Sequence, residues 1–173
     1  MDWTMIVLKL VHVFGAAFWI GSIACLGMFV LPAVRAAGRE GDRMFWKMGT
    51  ATKFLKLMPV ISGLTLLAGL ILYWLDSGHM NPEWLLSKTG LVYGISGLFG
   101  IAAGMTGGAV TGRAANRLTD LLGAVEAAGG HATPEQAAEI AATRDRLVAG
   151  VRITGRFLGL ALLGMVVGRY VPF

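Results

Sequence analysis

Four stretches of this chain carry no Asp, Glu, Lys or Arg: residues 10–34, 57–75, 89–112 and 157–168. Their lengths constrain the fold more than anything else in the sequence. The first three, at 25, 19 and 24 residues, match the about 20 apolar residues that an α-helix needs to cross a hydrocarbon core. The fourth has only 12. It reaches spanning length if its helix starts near Val148 and carries Arg152 and Arg156 at one end, from where their long side chains reach the interface. Only 14% of the 173 residues are charged and 55% are hydrophobic, whereas about a quarter of a soluble domain is charged. That composition sets the chain apart from soluble globular enzymes. The expected fold is all-α: an integral membrane four-helix antiparallel bundle forming one domain over residues 1–173, with spans at about 8–34, 57–75, 89–112 and 148–171.

The basic residues orient the spans. Arg35, Arg39, Arg43, Lys47, Lys53 and Lys56 lie in the first connection; Arg113, Arg117, Arg144, Arg146, Arg152 and Arg156 lie in or beside the third. Together they make 12 of the 15 basic residues. The positive-inside rule then puts those connections in the cytoplasm and both termini outside. It also accounts for the net charge of +5 with no nucleic-acid partner. Trp3, Tyr73, Trp74, Trp84 and Tyr170 fit an outer aromatic belt, and Phe45, Trp46 and Phe54 an inner one. The residues before the first stretch lack the charge pattern of a cleaved signal, so it reads as a retained helix.

The third connection, residues 113–150, has helical spacing. Leu118, Leu121, Leu122 and Val125 make one apolar stripe, Gly129 and Gly130 break it, and Thr133-Pro134-Glu135-Gln136 starts a new helix by capping box. A cytoplasmic helical hairpin extending the third and fourth spans is expected.

Few residues in the spans carry chemistry. His12 is ionisable and lies inside the first; such a group is costly there and marks a candidate site. Imidazole suits both haem iron and copper. The alternative is a neutral His12 hydrogen-bonded to a Ser, Thr or Tyr of another helix. No second histidine lies in a span. Met165, expected at a similar depth on the fourth helix, or a residue of another subunit is the candidate second ligand, and Lys9, Lys88 or Arg169 a basic partner for an anionic edge of a cofactor. Eight glycines on the third span, Gly94 and Gly97 among them, allow close helix packing or leave room for a flat ring. Copper would draw on His12, Cys25, Met28, His79, Met80 and Met165. His12 and Cys25 stand roughly 20 Å apart along one helix and cannot share an ion. The single cysteine excludes a multi-cysteine metal site within the chain. Arg152 and Arg156, one turn apart, can hold an anion or simply anchor the helix. The spans contain no acidic residue, against a carboxylate-driven pump, and no hydrolase triad or phosphate loop occurs.

The run Leu8-Lys9-Leu10-Val11-His12-Val13-Phe14-Gly15-Ala16-Ala17-Phe18-Trp19-Ile20-Gly21-Ser22, with Leu31-Pro32 at its exit, resembles the opening helix of the CopD/HemJ-like group of small bacterial membrane proteins. Trp84-Leu85-Leu86-Ser87-Lys88 resembles the entry to their third helix, and Met165-Val166-Val167-Gly168-Arg169-Tyr170 the close of four-helix relatives. The resemblance implies a multi-pass protein of the bacterial inner membrane. On the HemJ side it implies haem b ligated by His12, with Lys88 as an accessory residue, and an oxidoreductase of the protoporphyrinogen-oxidase type. On the CopD side it implies copper uptake or handling. The third reading, from the glycines alone, is a cofactor-free accessory subunit of a homo-oligomer or larger membrane complex.

Overall fold

A computed structural model describes residues 2–171 of the chain. Among them every regular element is helical. Four helical runs, Trp3–Ala36, Phe54–Asp76, Lys88–Ala127 and Pro134–Gly168, are long and apolar enough to cross a membrane.

Helix α1, Trp3–Cys25, starts at an Asp2 cap whose carboxylate accepts from the Thr4 and Met5 amides at 3.0 and 3.3 Å. It continues through one π-helical turn, Leu26–Val30, into α2, Leu31–Ala36. Pro32 explains the turn. Proline has no N–H and its ring collides with the carbonyl four residues back. The wider turn, closed by the Leu31 N–H on the Leu26 carbonyl, inserts one residue there and keeps the rod unbroken. Gly38, at φ +56°, then reverses the chain into α3, Gly38–Ala51. A Cβ on Gly41 would fall 2.1 Å from the Val34 carbonyl oxygen, so only glycine lets α3 fold back this tightly on α2.

Helix α4, Phe54–Asp76, returns toward the end where α1 begins, the terminal end. A turn with Gly78, His79 and Met80 all in the left-handed region follows. The Ser77 hydroxyl braces it, accepting from the Met80 amide at 2.9 Å and donating to the Trp74 carbonyl at 3.0 Å. After the short α5, Pro82–Leu85, helix α6 runs Lys88–Thr106, passes through a second π-helical stretch, Gly107–Gly112, and becomes α7, Arg113–Ala127. Gly129 and Gly130, both at positive φ, turn the chain into α8, Pro134–Gly168. The Thr133–Gln136 capping box is formed in both directions, at 2.9 and 3.2 Å.

Two helix pairs dominate the packing, α1 along α4 and α6 along α8. Small residues make the approaches close. A Cβ on Gly15 would strike Thr65, and Cβ atoms on Gly164 and Gly168 would strike Ser96 and Tyr93. Trp19, 4% exposed, reaches from α1 to Gly104 near the end of α6 and to Gly107 at the start of the second π-helical stretch, and joins the pairs.

The densest core lies at the opposite, basic end, among α2, α3, α7 and the first half of α8, around Val34, Phe45, Leu118 and Leu147. This corrects the sequence reading of Phe45 and Trp46 as an aromatic belt. Phe45 is 1% exposed, and a Cβ on Gly123 of α7 would lie 2.8 Å from the Trp46 indole nitrogen. The apolar face of α3 lies on protein, as does the close of the first charge-free stretch at Leu31 and Val34. Around this core Arg43 pairs with Glu126 at 3.0 Å, Arg117 with Glu139 at 2.6 Å, and Arg144 with Asp42.

Candidate functional site

His12 faces α4. Its Nδ1 donates to the main-chain carbonyl of Thr65 at 2.9 Å. A carbonyl only accepts, so Nδ1 carries the proton, and a neutral ring then holds its lone pair on Nε2. The Thr65 hydroxyl is turned back on its own helix, donating to the Ile61 carbonyl at 2.8 Å. One turn along α4, Gly69 makes room for the ring: a Cβ there would stand 2.7 Å from Cε1 and 2.9 Å from Nδ1 of His12. The imidazole is half-buried. Among the described residues Nε2 has no hydrogen-bond partner, yet it is not sealed inside the protein.

The other residues singled out from sequence are dispersed around this point. Met165 is half-buried on α8. Gly155 faces Ile23 and Val151 packs against Gly27, and this antiparallel register carries Met165 to about the level of Val13, close to the depth of His12. The imidazole itself packs on Thr65 and Gly69 of α4, while those α1–α8 contacts lie further toward the basic end. Lys88 is exposed at the start of α6 and engages no ion pair among the described residues. The space beside Gly94 is taken by Tyr73, whose hydroxyl would lie 2.9 Å from a Cβ there and donates to the Gly90 carbonyl at 3.3 Å. Gly97 faces open space, with nothing within 4 Å of a Cβ.

The soft-ligand candidates do not converge. Cys25 and Met28 are exposed on the first helical run. His79 packs edge-on against Trp74 with ring centroids 4.3 Å apart, and the Met80 sulfur lies 3.8 Å from the Ser77 hydroxyl oxygen. Among the described residues no group of three or more His, Cys, Asp or Glu is placed to hold a metal ion.

Two features went unread in the sequence. One is the α4 seat of His12. Thr65 and Gly69, four apart inside an otherwise apolar span, were the available signal. The other is a cluster of hydroxyls where α8 crosses the second π-helical stretch. Thr154, 0% exposed, donates to the Thr106 hydroxyl at 3.1 Å and lies 3.2 Å from that of Thr111. Two grooves flank the basic end. One of about 310 Å³ runs between α3, α7 and the start of α8, beside Arg39 and Trp46. One of about 470 Å³ runs between the close of α1 and α8, beside Arg152 and Arg156.

Fold and site together define an all-helical chain with four helices of membrane-spanning length and apolarity, and one histidine fixed between two of them. No protein-family model, curated protein or solved structure matches it.

Proposed function

We propose that this chain is a four-helix antiparallel bundle in the bacterial inner membrane, both termini outside, that binds a b-type haem near the outer leaflet through Nε2 of His12. The observation that carries the reading is the state of the imidazole. Metal-ligating histidines commonly donate their other ring N–H to a carbonyl, which fixes both tautomer and orientation. His12 is held this way by Thr65. Its remaining nitrogen, at membrane depth and without a protein partner, is costly to leave bare. The donor chemistry therefore fits a haem iron. Thr65 would orient the ring, Gly69 would seat it, and Met165 would be the candidate second ligand. When bound, haem would supply one-electron redox chemistry. Sidedness rests on the 12 basic residues gathered at one end.

A reduced-minus-oxidised visible spectrum of protein purified in mild detergent, with metal analysis of the same sample and a haem-reconstitution control, tests this. A sharp α band with about one iron per chain, lost in His12→Ala, is expected. Stoichiometric haem retained by His12→Ala overturns the ligand. Copper in place of iron moves the assignment to a copper-handling protein.

A second reading, a cofactor-free accessory subunit, is favoured by the same Thr65 bond, which serves equally to fasten α1 to α4, and by the open face at Gly97. It predicts no iron or copper after reconstitution, and co-purification with a partner that Gly97→Leu releases.

A further inference from the structure

The groove between α1 and α8 is built by absence of side chains. Gly27 lies in the π-helical turn against Val151, where a Cβ would come within 2.8 Å of the valine methyl. Gly155 faces Ile23 across the gap. The turn also sends Met28 outward, where it is 68% exposed. The result is an apolar trough of about 470 Å³, open on one side.

Its two polar side chains are Arg152 and Arg156, one helical turn apart. Like charges at that spacing repel. Neither has a carboxylate: the three ion pairs among the described residues belong to Arg43, Arg117 and Arg144. Arg152 and Arg156 are both exposed, and Arg156 directly precedes the charge-free residues 157–168. Lys56 stands in the same relation to residues 57–75. The pair lies within the trough, whose α8 wall runs from Val148 to Arg156 and whose facing wall runs from Ile20 to Leu31. Nearby on the same two helices, a Cβ on Gly21 or Gly159 would meet nothing within 4 Å.

We infer that this groove binds an anionic glycerophospholipid of the surrounding leaflet, its phosphate held by Arg152 and Arg156 and one acyl chain laid along Ile20, Ile23 and Gly155. Charge and shape both select this occupant. Guanidinium forks match phosphate oxygens, and basic pockets between spanning helices take anionic headgroups. Two unpaired arginines along the wall ask for an anion, and the apolar residues between and opposite them ask for a chain. The inference rests on the membrane reading of the four helices but not on haem.

The test is native mass spectrometry of the full chain released from detergent, titrated with dioleoyl phosphatidylglycerol and separately with dioleoyl phosphatidylcholine. One tightly retained phosphatidylglycerol per chain, and none of phosphatidylcholine, is expected. The Arg152→Gln/Arg156→Gln variant should weaken retention by about 30-fold. Ala24→Trp, which fills the trough and keeps both arginines, should abolish it and stands in if the arginine variant fails to fold. Arg35→Gln/Arg113→Gln, with equal loss of charge nearby, should leave it unchanged. Equal loss in that control, full retention by Ala24→Trp, displacement by millimolar inorganic phosphate alone, or a lipid-free dimer that covers the groove would each overturn the inference.

Discussion

Placing a methyl group on Gly69 tests the seat of His12 directly. In the native chain that methyl carbon would stand 2.7 Å from Cε1 and 2.9 Å from Nδ1 of the ring, well inside contact distance. The imidazole must move, and the 2.9 Å bond to Thr65 moves with it. Overpacking of this kind costs about 1–3 kcal/mol. The lost hydrogen bond adds about 0.6 kcal/mol, the average between spanning helices. Against this, replacing glycine by alanine inside a helix gains about 0.5–1 kcal/mol. Gly69→Ala should therefore destabilise the protein by about 0.6–3 kcal/mol net. In a His12→Ala background the clash has no partner, and the same change should stabilise by about 0.5–1 kcal/mol. The two effects differ in sign, so a double-mutant cycle reads the contact directly. Reversible unfolding of the four variants in bicelles, followed by helical circular dichroism, supplies the numbers. If Gly69→Ala stabilises both backgrounds alike, the ring does not lie against Gly69, and the orientation assigned to Nε2 falls with it.

Phe45→Ala should cost about 3–5 kcal/mol by opening the basic-end core and should expose Lys47 and Lys53 to trypsin; unchanged melting and cleavage would remove α3 from that core. Gly164→Leu, which drives a side chain into Ser96 of α6, should destabilise the chain by more than about 2 kcal/mol. Gly97→Leu, facing open space, should stay within about 0.5 kcal/mol in the isolated chain. Thermal melts in detergent compare the two, and equal losses would contradict the packing of α6 on α8.

The helices were legible because their signals are local. Four charge-free stretches set the long helices, and Thr133-Pro134 with Gln136 set the start of α8 within a residue. The role of α3 was hidden. Its stripe of Phe45, Trp46 and Met48 lies among basic residues, and tryptophan near a span reads equally well as an interfacial anchor. Only the third dimension shows Leu118 and Leu122 on the other side. Likewise a sequence window cannot separate apolar residues that face outward from those, like Leu31 and Val34, that face protein. At His12 the place along its helix was readable but the partner was not. The acceptor is a main-chain carbonyl, which every residue possesses and no residue type announces. The glycines were legible as a class and not one by one, since Gly94, Gly97 and Gly164 look alike in sequence and meet a tyrosine, nothing and a serine.

The placement of the core has a thermal consequence. On the membrane reading, the apolar contacts around Phe45, Leu118 and Leu147 form against water, whereas those of α1 on α4 and α6 on α8 form against lipid tails. Only the former carry the heat capacity of apolar hydration. Cooling weakens that contribution and leaves the glycine-lined seams between spanning helices nearly untouched. The two ends of one continuous 35-residue helix, α8, therefore have different temperature laws. A chilled sample would loosen first at the end with the most tightly packed side chains.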